Sequence, residues 1–186
     1  MDKIGVVHGR FQGLHKGHME FLLAGKKRCE HLVIGITNYL GNAKDNTISQ
    51  IDAHRLTDNA NPFTYFERME MLRGSMLEYG ISESDFSIVP FPVEDIHILF
   101  NFVPKEAAFY LTIYDDWGRE KLRRLRSLGI EVTVLWERSE AEKPVSGTLV
   151  RNAILNGNDW RDFVPQFVFD YINRHKLDKR IKQNGK

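Results

Sequence analysis

Along the chain, short apolar runs alternate with longer stretches in which apolar residues recur every three or four positions. IGVV (4–7) reads as a first strand and residues 17–28 as the helix that follows it. HLVIGIT (31–37), FSIVPF (86–91), AFYLTIY (108–114) and IEVTVLW (130–136) read as four further strands. Thr64 and Glu67 form a T-x-x-E capping box, and Phe66, Met69, Leu72 and Met76 then mark one helical face. A short apolar helix fits between the third and fourth strands. Leu122, Leu125 and Leu128 mark another helix, ended by Gly129 at C′. The last third is helical: GTLVRNAILNG, then DWRDFVPQFVFDYINRH, with Asp159 as its N-cap. Strands alternating with helices predict an α/β fold, a doubly wound Rossmann-like parallel sheet of about five strands with helices on both faces and a helical C-terminus. Residues 1–157 make the α/β domain and residues 158–186 a C-terminal helical extension of it. The closing KLDKRIKQNGK reads as a frayed, solvated end. Residues 38–62 are polar and aperiodic, a length that marks a functional or mobile loop.

Composition narrows the classes. Twenty-six Lys and Arg against 25 Asp and Glu leave the chain nearly neutral, which gives no reason to expect a nucleic-acid partner. No stretch approaches the roughly 18 consecutive apolar residues of a membrane helix, and no signal-peptide pattern opens the chain, so no membrane partner is expected. The single cysteine, Cys29, cannot pair internally; it reads as a packed thiol in a cytoplasmic protein.

The chemistry concentrates where the first strand ends. HGRFQGLHKGH (8–18) crowds glycines, histidines, an arginine and a lysine into one turn, and ligands of open α/β sheets bind at the carboxyl ends of the strands. If a helix starts near Gly17, its free N–H groups and dipole point at whatever lies over the first strand. Gly13 and Gly17 let a polyphosphate approach, His15 and His18 can both donate to phosphoryl oxygens, and Lys16 and Arg10 add fixed charge. Neither GxxxxGK[ST] nor GxGxxG occurs. A metal-site reading of His15 and His18 lacks further ligands, so no metal ligand is assigned in the chain. VSGTLVR (145–151) supplies a second helix start, where Ser146 or Thr148 caps and Arg151 falls one turn inside. Together the two starts suggest a triphosphate held between them.

With GRFQGLHKGH, a second strand ending in GITN, NPFTYFERMEML and SGTLVR, the chain resembles the HxGH nucleotidyltransferase superfamily, most of all its archaeal-type nicotinamide-nucleotide (NMN) adenylyltransferases. The resemblance implies that His15 and His18 contact the ATP phosphates, that Ser146, Thr148 and Arg151 hold the β- and γ-phosphates, and that Gly9, Arg10, Phe11 and Gln12 line the nucleotide cleft. With the residue reading, His15, His18, Lys16 and Arg151 are the expected catalytic residues, and Gly17 joins the nucleotide-binding set. Arg68 would be a further phosphate or substrate contact, against the alternative of a surface arginine. The resemblance also suggests self-association. Two departures stand out: Gly13 replaces a usual proline, which loosens the loop, and Tyr114-Asp115-Asp116-Trp117 replaces a small, asparagine-rich stretch.

The implied reaction is attack of an acceptor phosphate on the α-phosphorus of ATP, with Mg²⁺ accompanying the nucleotide and pyrophosphate leaving. It needs in-line positioning and charge neutralisation rather than a strong base. NMN is the expected acceptor, its ring stacked on Trp117 and its polar groups bonded to Asp115 and Asp116; the competing view has Trp117 packed and the aspartates capping a helix. Two alternatives stand beside it. One is a cytidylyltransferase for a phosphorylated alcohol such as glycerol phosphate, to which the Asp-Asp-Trp stretch is similar. The other is a non-catalytic nucleotide-binding regulator, against which the presence of both HxGH and SxTxxR argues.

Overall fold

A computed structural model describes residues 1–40, 60–93, 97–143 and 145–184; most of the long polar stretch, residues 41–59, lies outside them. Five parallel strands form one sheet in the order β3-β2-β1-β4-β5. They are β1 (Asp2–Gly9), β2 (Cys29–Ile36), β3 (Phe86–Pro90), β4 (Ala108–Ile113) and β5 (Val132–Glu137). Chain order reverses between β1 and β4, so the crevice of this doubly wound sheet opens at the carboxyl end of β1. The helices are α1 (Lys16–Lys26), α2 (Tyr65–Glu78), α3 (Asp116–Ser127), α4 (Gly147–Leu155), α5 (Gln166–Arg174) and α6 (Leu177–Asn184).

β1 is buried on both faces, as its apolar run requires. Val7 faces the larger core, shared with Leu22 of α1, Met71 and Leu72 of α2, Val150 of α4, Val168 of α5 and Ile181 of α6. Val6 faces a smaller core with Phe91, Leu99, Phe109 and Leu125 of α3. Among the described residues no helix is long and apolar enough to cross a membrane.

Four local readings change. The Thr64–Glu67 capping box forms, but Phe66 is 60% exposed, because α2 turns Arg68, Met71, Leu72, Ser75 and Met76 inward instead. Asp159 does not cap a long helix: it accepts the N–H of Arg161 ahead of a single 3-10 turn, and α5 starts only after Pro165. Between β3 and β4 the described residues likewise form only a 3-10 turn, Leu99–Asn101. Over its described residues the basic tail is not frayed. It forms α6, which buries Leu177 and Ile181, and its Arg180 grips both carboxylate oxygens of Glu67 at 2.7 and 2.9 Å.

Candidate active site

The turn after β1 begins the site. Its backbone is unusual: Phe11 has φ 51° and Gly13 φ 84°. Proline, locked near −65°, cannot take the second value, so Gly13 winds this loop differently rather than merely loosening it. α1 then opens on a reciprocal cap. His15 Nδ1 accepts the N–H of His18 at 3.2 Å, and His18 Nδ1 accepts the N–H of His15 at 3.4 Å. The two rings stack with centroids 3.7 Å apart. Because each Nδ1 is an acceptor, each neutral ring carries its proton on Nε2.

Both imidazoles are held neutral. Burial drives the His15 pKa down to about 3, helped by Lys143 and Arg151. His18 lies well below the ordinary histidine range, through burial first and then His15, Lys143 and Arg10. The pair therefore offers two directional, uncharged N–H donors, and the positive charge comes from their neighbours.

The second helix start meets the first. Ser146 Oγ caps α4 by accepting the N–H of Leu149. The Arg151 guanidinium donates to the carbonyl of Gln12 at 2.8 Å and to Thr148 Oγ1 at 3.2 Å. A Cβ at Gly147 would lie 2.7 Å from that same Gln12 carbonyl, and one at Gly17 would lie 3.4 Å from the carbonyl of Val145. The first of these contacts leaves no room for a side chain, so Gly147 lets the two N-termini close on one another, and Gly17, His15, His18, Ser146, Thr148 and Arg151 are brought together. Lys16 is exposed at the first turn of α1, and Gly9 and Arg10 are half-buried at the end of β1. Lys143 was not singled out from the sequence. It acts electrostatically on both histidines, and its ammonium lies 5.0 Å over the Tyr114 ring. A lysine just ahead of a hydroxyl-rich helix start was the available signal.

Three expected contacts lie beneath the cleft instead. Phe11 is 1% exposed and packs edge-on under His18. The Gln12 side chain is buried in a reciprocal pair with the backbone of Phe63, at 2.9 and 3.0 Å. Arg68, expected either at a substrate or on the surface, is not a surface residue. It is 0% exposed, and its guanidinium donates to the carbonyls of Thr64, Arg10, Thr37 and Asn38. Burial pushes its pKa down to about 10, so it stays charged near neutrality. It ties the turns after β1 and β2 together, beside the positive-φ residues Phe11 and Asn38.

At the end of β4, Asp115 caps α3 by accepting the N–H of Gly118 at 2.7 Å. Asp116 is exposed, while Trp117 is half-buried with the Arg124 guanidinium 5.2 Å over its ring. Of the two aspartates the cap is Asp115 alone, and Trp117 is not part of the buried core. The donors around the two helix starts are imidazoles, cations and amides, a set that binds phosphate oxygens rather than a hard divalent cation. Among the described residues no three His, Cys, Asp or Glu side chains converge as metal ligands.

Comparison with known proteins places this geometry in context. Residues 6–153 match the family described as Cytidylyltransferase-like. The chain is 42% identical over 178 residues to a phosphonoformate cytidylyltransferase of Streptomyces viridochromogenes, covering 96% of this chain and 95% of that protein. It is 28% identical over 188 residues to a nicotinamide-nucleotide adenylyltransferase of Saccharolobus solfataricus, with the same two coverages of 96% and 95%. In fold it is similar to a bifunctional NMN adenylyltransferase/ADP ribose pyrophosphatase from Francisella tularensis. The TM-score is 0.68 at 14% identity, over all of this chain and 54% of that one, so the chain spans about half of that protein.

Proposed function

The chain belongs to the cytidylyltransferase-like family of HxGH nucleotidyltransferases, and from that premise we propose that it transfers a cytidylyl group from CTP to a small phosphonate- or phosphate-bearing acid. The 42% likeness along nearly the whole of both chains carries this reading.

In this reaction an acceptor oxygen forms a bond to the α-phosphorus of CTP. The bond from that phosphorus to the bridging oxygen breaks, and pyrophosphate departs with the electron pair. The acceptor is already an anion, so no side chain has to remove a proton. His15 and His18 donate from Nε2 to phosphoryl oxygens, and α1 and α4 direct their free N–H groups and dipoles at the same anion. Arg151, Arg10, Lys16 and Lys143 balance the charge that gathers on the leaving group. Ser146 and Thr148 contribute hydroxyls to the β- and γ-phosphates. A magnesium ion enters as part of the metal–nucleotide substrate. Arg68, Gln12 and Phe11 hold the loop in shape from below.

Adenylyl transfer to NMN is the second reading, favoured by GRFQ, NPFT-x-x-ER and the 28% likeness. A pyrophosphate-release assay separates the two: CTP and ATP, each with phosphonoformate, NMN, glycerol phosphate or no acceptor. Cytidylyl transfer requires the highest kcat/KM from CTP with phosphonoformate. A higher value from ATP with NMN would replace it by the second reading. Nucleotide binding without pyrophosphate release from any pair would favour the non-catalytic regulator.

A further inference from the structure

One buried imidazole takes no part in the scheme above. His8 is 4% exposed, and among the described residues neither Nδ1 nor Nε2 has a hydrogen-bond partner. An unmet buried donor and acceptor weaken a fold, so an apolar residue would serve a purely structural position better.

The position is specific. His8 is the last residue but one of β1, where the strand hands the chain to the phosphate loop. Register sets it beside Gly35 of β2. A Cβ at Gly35 would lie 2.3 Å from the Phe91 ring. Glycine there admits Phe91, which lies flat against His8 with centroids 4.3 Å apart and planes 4° apart. Alternation along β1 puts His8 on the side of Val6, covered by α3, while Val7 faces α1 and α4. Lys121 of α3 acts on the ring electrostatically.

In-line geometry gives that side a role. In the reaction proposed above, pyrophosphate leaves against the N-termini of α1 and α4, which cover the Val7 face. The acceptor must attack from the opposite side of the α-phosphorus, which is across the carboxyl edge of β1 toward His8. We propose that His8 is an acceptor-binding residue: its ring, held flat by Phe91, donates a hydrogen bond to an oxygen of the small oxyanion acceptor. Lys121 adds a positive field from α3. The class of acceptor rests on the cytidylyl-transfer reading; the placement of His8 on the acceptor side rests on the sheet faces.

His8→Phe tests this, because it keeps a flat ring against Phe91 and removes both nitrogens. With CTP and phosphonoformate, KM for phosphonoformate should rise about tenfold or more, as for loss of a hydrogen bond to a charged group. KM for CTP should stay within about twofold, and Tm should equal or exceed that of the wild type. His8→Gln, which restores an N–H donor, should recover part of the acceptor KM, and His8→Leu replaces His8→Phe if the latter does not fold. An unchanged KM for phosphonoformate, or a rise confined to CTP, would overturn the assignment. So would a fall in Tm with both KM values raised alike. If the wild type turns over ATP with NMN instead, the cytidylyl reading alone falls, and the same comparison on the KM for NMN decides the role of His8. If it turns over neither pair, calorimetric titration of phosphonoformate and NMN decides, and a wild type that binds neither overturns both.

Discussion

A neutral imidazole donates along one bond axis and brings no charge of its own, and the stacked pair His15–His18 is built to be neutral. Such donors matter most where charge grows during the reaction. His18→Ala should therefore lower kcat by about 10²–10³, as for loss of one oxyanion-type donor, with a smaller change in nucleotide KM. Wild-type turnover in that variant, with α1 intact by circular dichroism, would remove His18 from the reaction. Arg68 acts at the same scale but through others. Its fork reaches the carbonyls of Arg10, Thr37 and Asn38 at 2.8 Å each, and a lysine cannot reproduce that fork. Arg68→Lys should cost on the order of 1–3 kcal/mol in urea unfolding and raise the nucleotide KM as the turn after β1 loosens. Stability and KM both at wild-type values would contradict the clamp. The clamp was invisible in the sequence for a physical reason: its acceptors are backbone carbonyls, whose location depends on the fold and not on residue type. The turn after β1 was visible because the imidazoles, the guanidinium and the missing Cβ of glycine are themselves the sequence signal of the phosphate contacts proposed for it.

Helices reveal themselves by an apolar stripe, and α6 shows how a short stripe hides among charges. Leu177 and Ile181, four apart, are each 5% exposed, yet they sit in KLDKRIK. That spacing was the signal; the density of cations drowned it. Packing should dominate the docking of α6. Ile181→Ala should cost about 2–5 kcal/mol, whereas Arg180→Ala should cost less than about 1 kcal/mol, because its partner Glu67 is met in a partly exposed pair. Chemical denaturation of the two variants checks the order, and a larger loss for Arg180→Ala would reverse the argument. α2 teaches the same lesson from the other side: Phe66 looked inward by spacing, but the buried stripe is set by Arg68, a residue that no hydrophobic pattern counts. The strands were legible because each is apolar on both faces, the mark of a parallel sheet between two layers of helices. The order β3-β2-β1-β4-β5 was not, since pairing partners leave no local trace.

At the scale of the molecule, the carboxyl edge of β1 concentrates two buried imidazoles and a half-buried third, and this ties the stability of the fold to pH. His8, His15 and His18 are all depressed below the ordinary histidine value of 6.5, chiefly by burial. Lys121, Lys143, Arg151 and Arg10 reinforce the effect from α3, the turn before α4, α4 and the loop after β1. Below pH 6.5 the unfolded chain binds protons at these positions that the folded chain refuses, so stability must fall as pH falls. For His15 the fall continues down to its folded pKa of about 3. Each such histidine contributes up to about 1.4 kcal/mol per pH unit within its window. The onset separates this effect from the carboxylates, whose ordinary range begins lower; Glu67, for instance, is shifted further down by Arg180 and Thr64 despite its burial. Thermal melts should therefore show Tm dropping between pH 7.5 and pH 5. His15→Asn keeps a residue that caps helices well and removes one titrating ring, so its Tm should depend less steeply on pH over that interval. An identical Tm at the two pH values in the wild type would mean that these imidazoles take up protons as readily in the folded protein as in the unfolded chain, and the fold would then not be holding His15 and His18 neutral. Bound nucleotide should oppose the acid loss, because a polyphosphate between α1 and α4 favours the protonated rings and raises their pKa values toward the unfolded one.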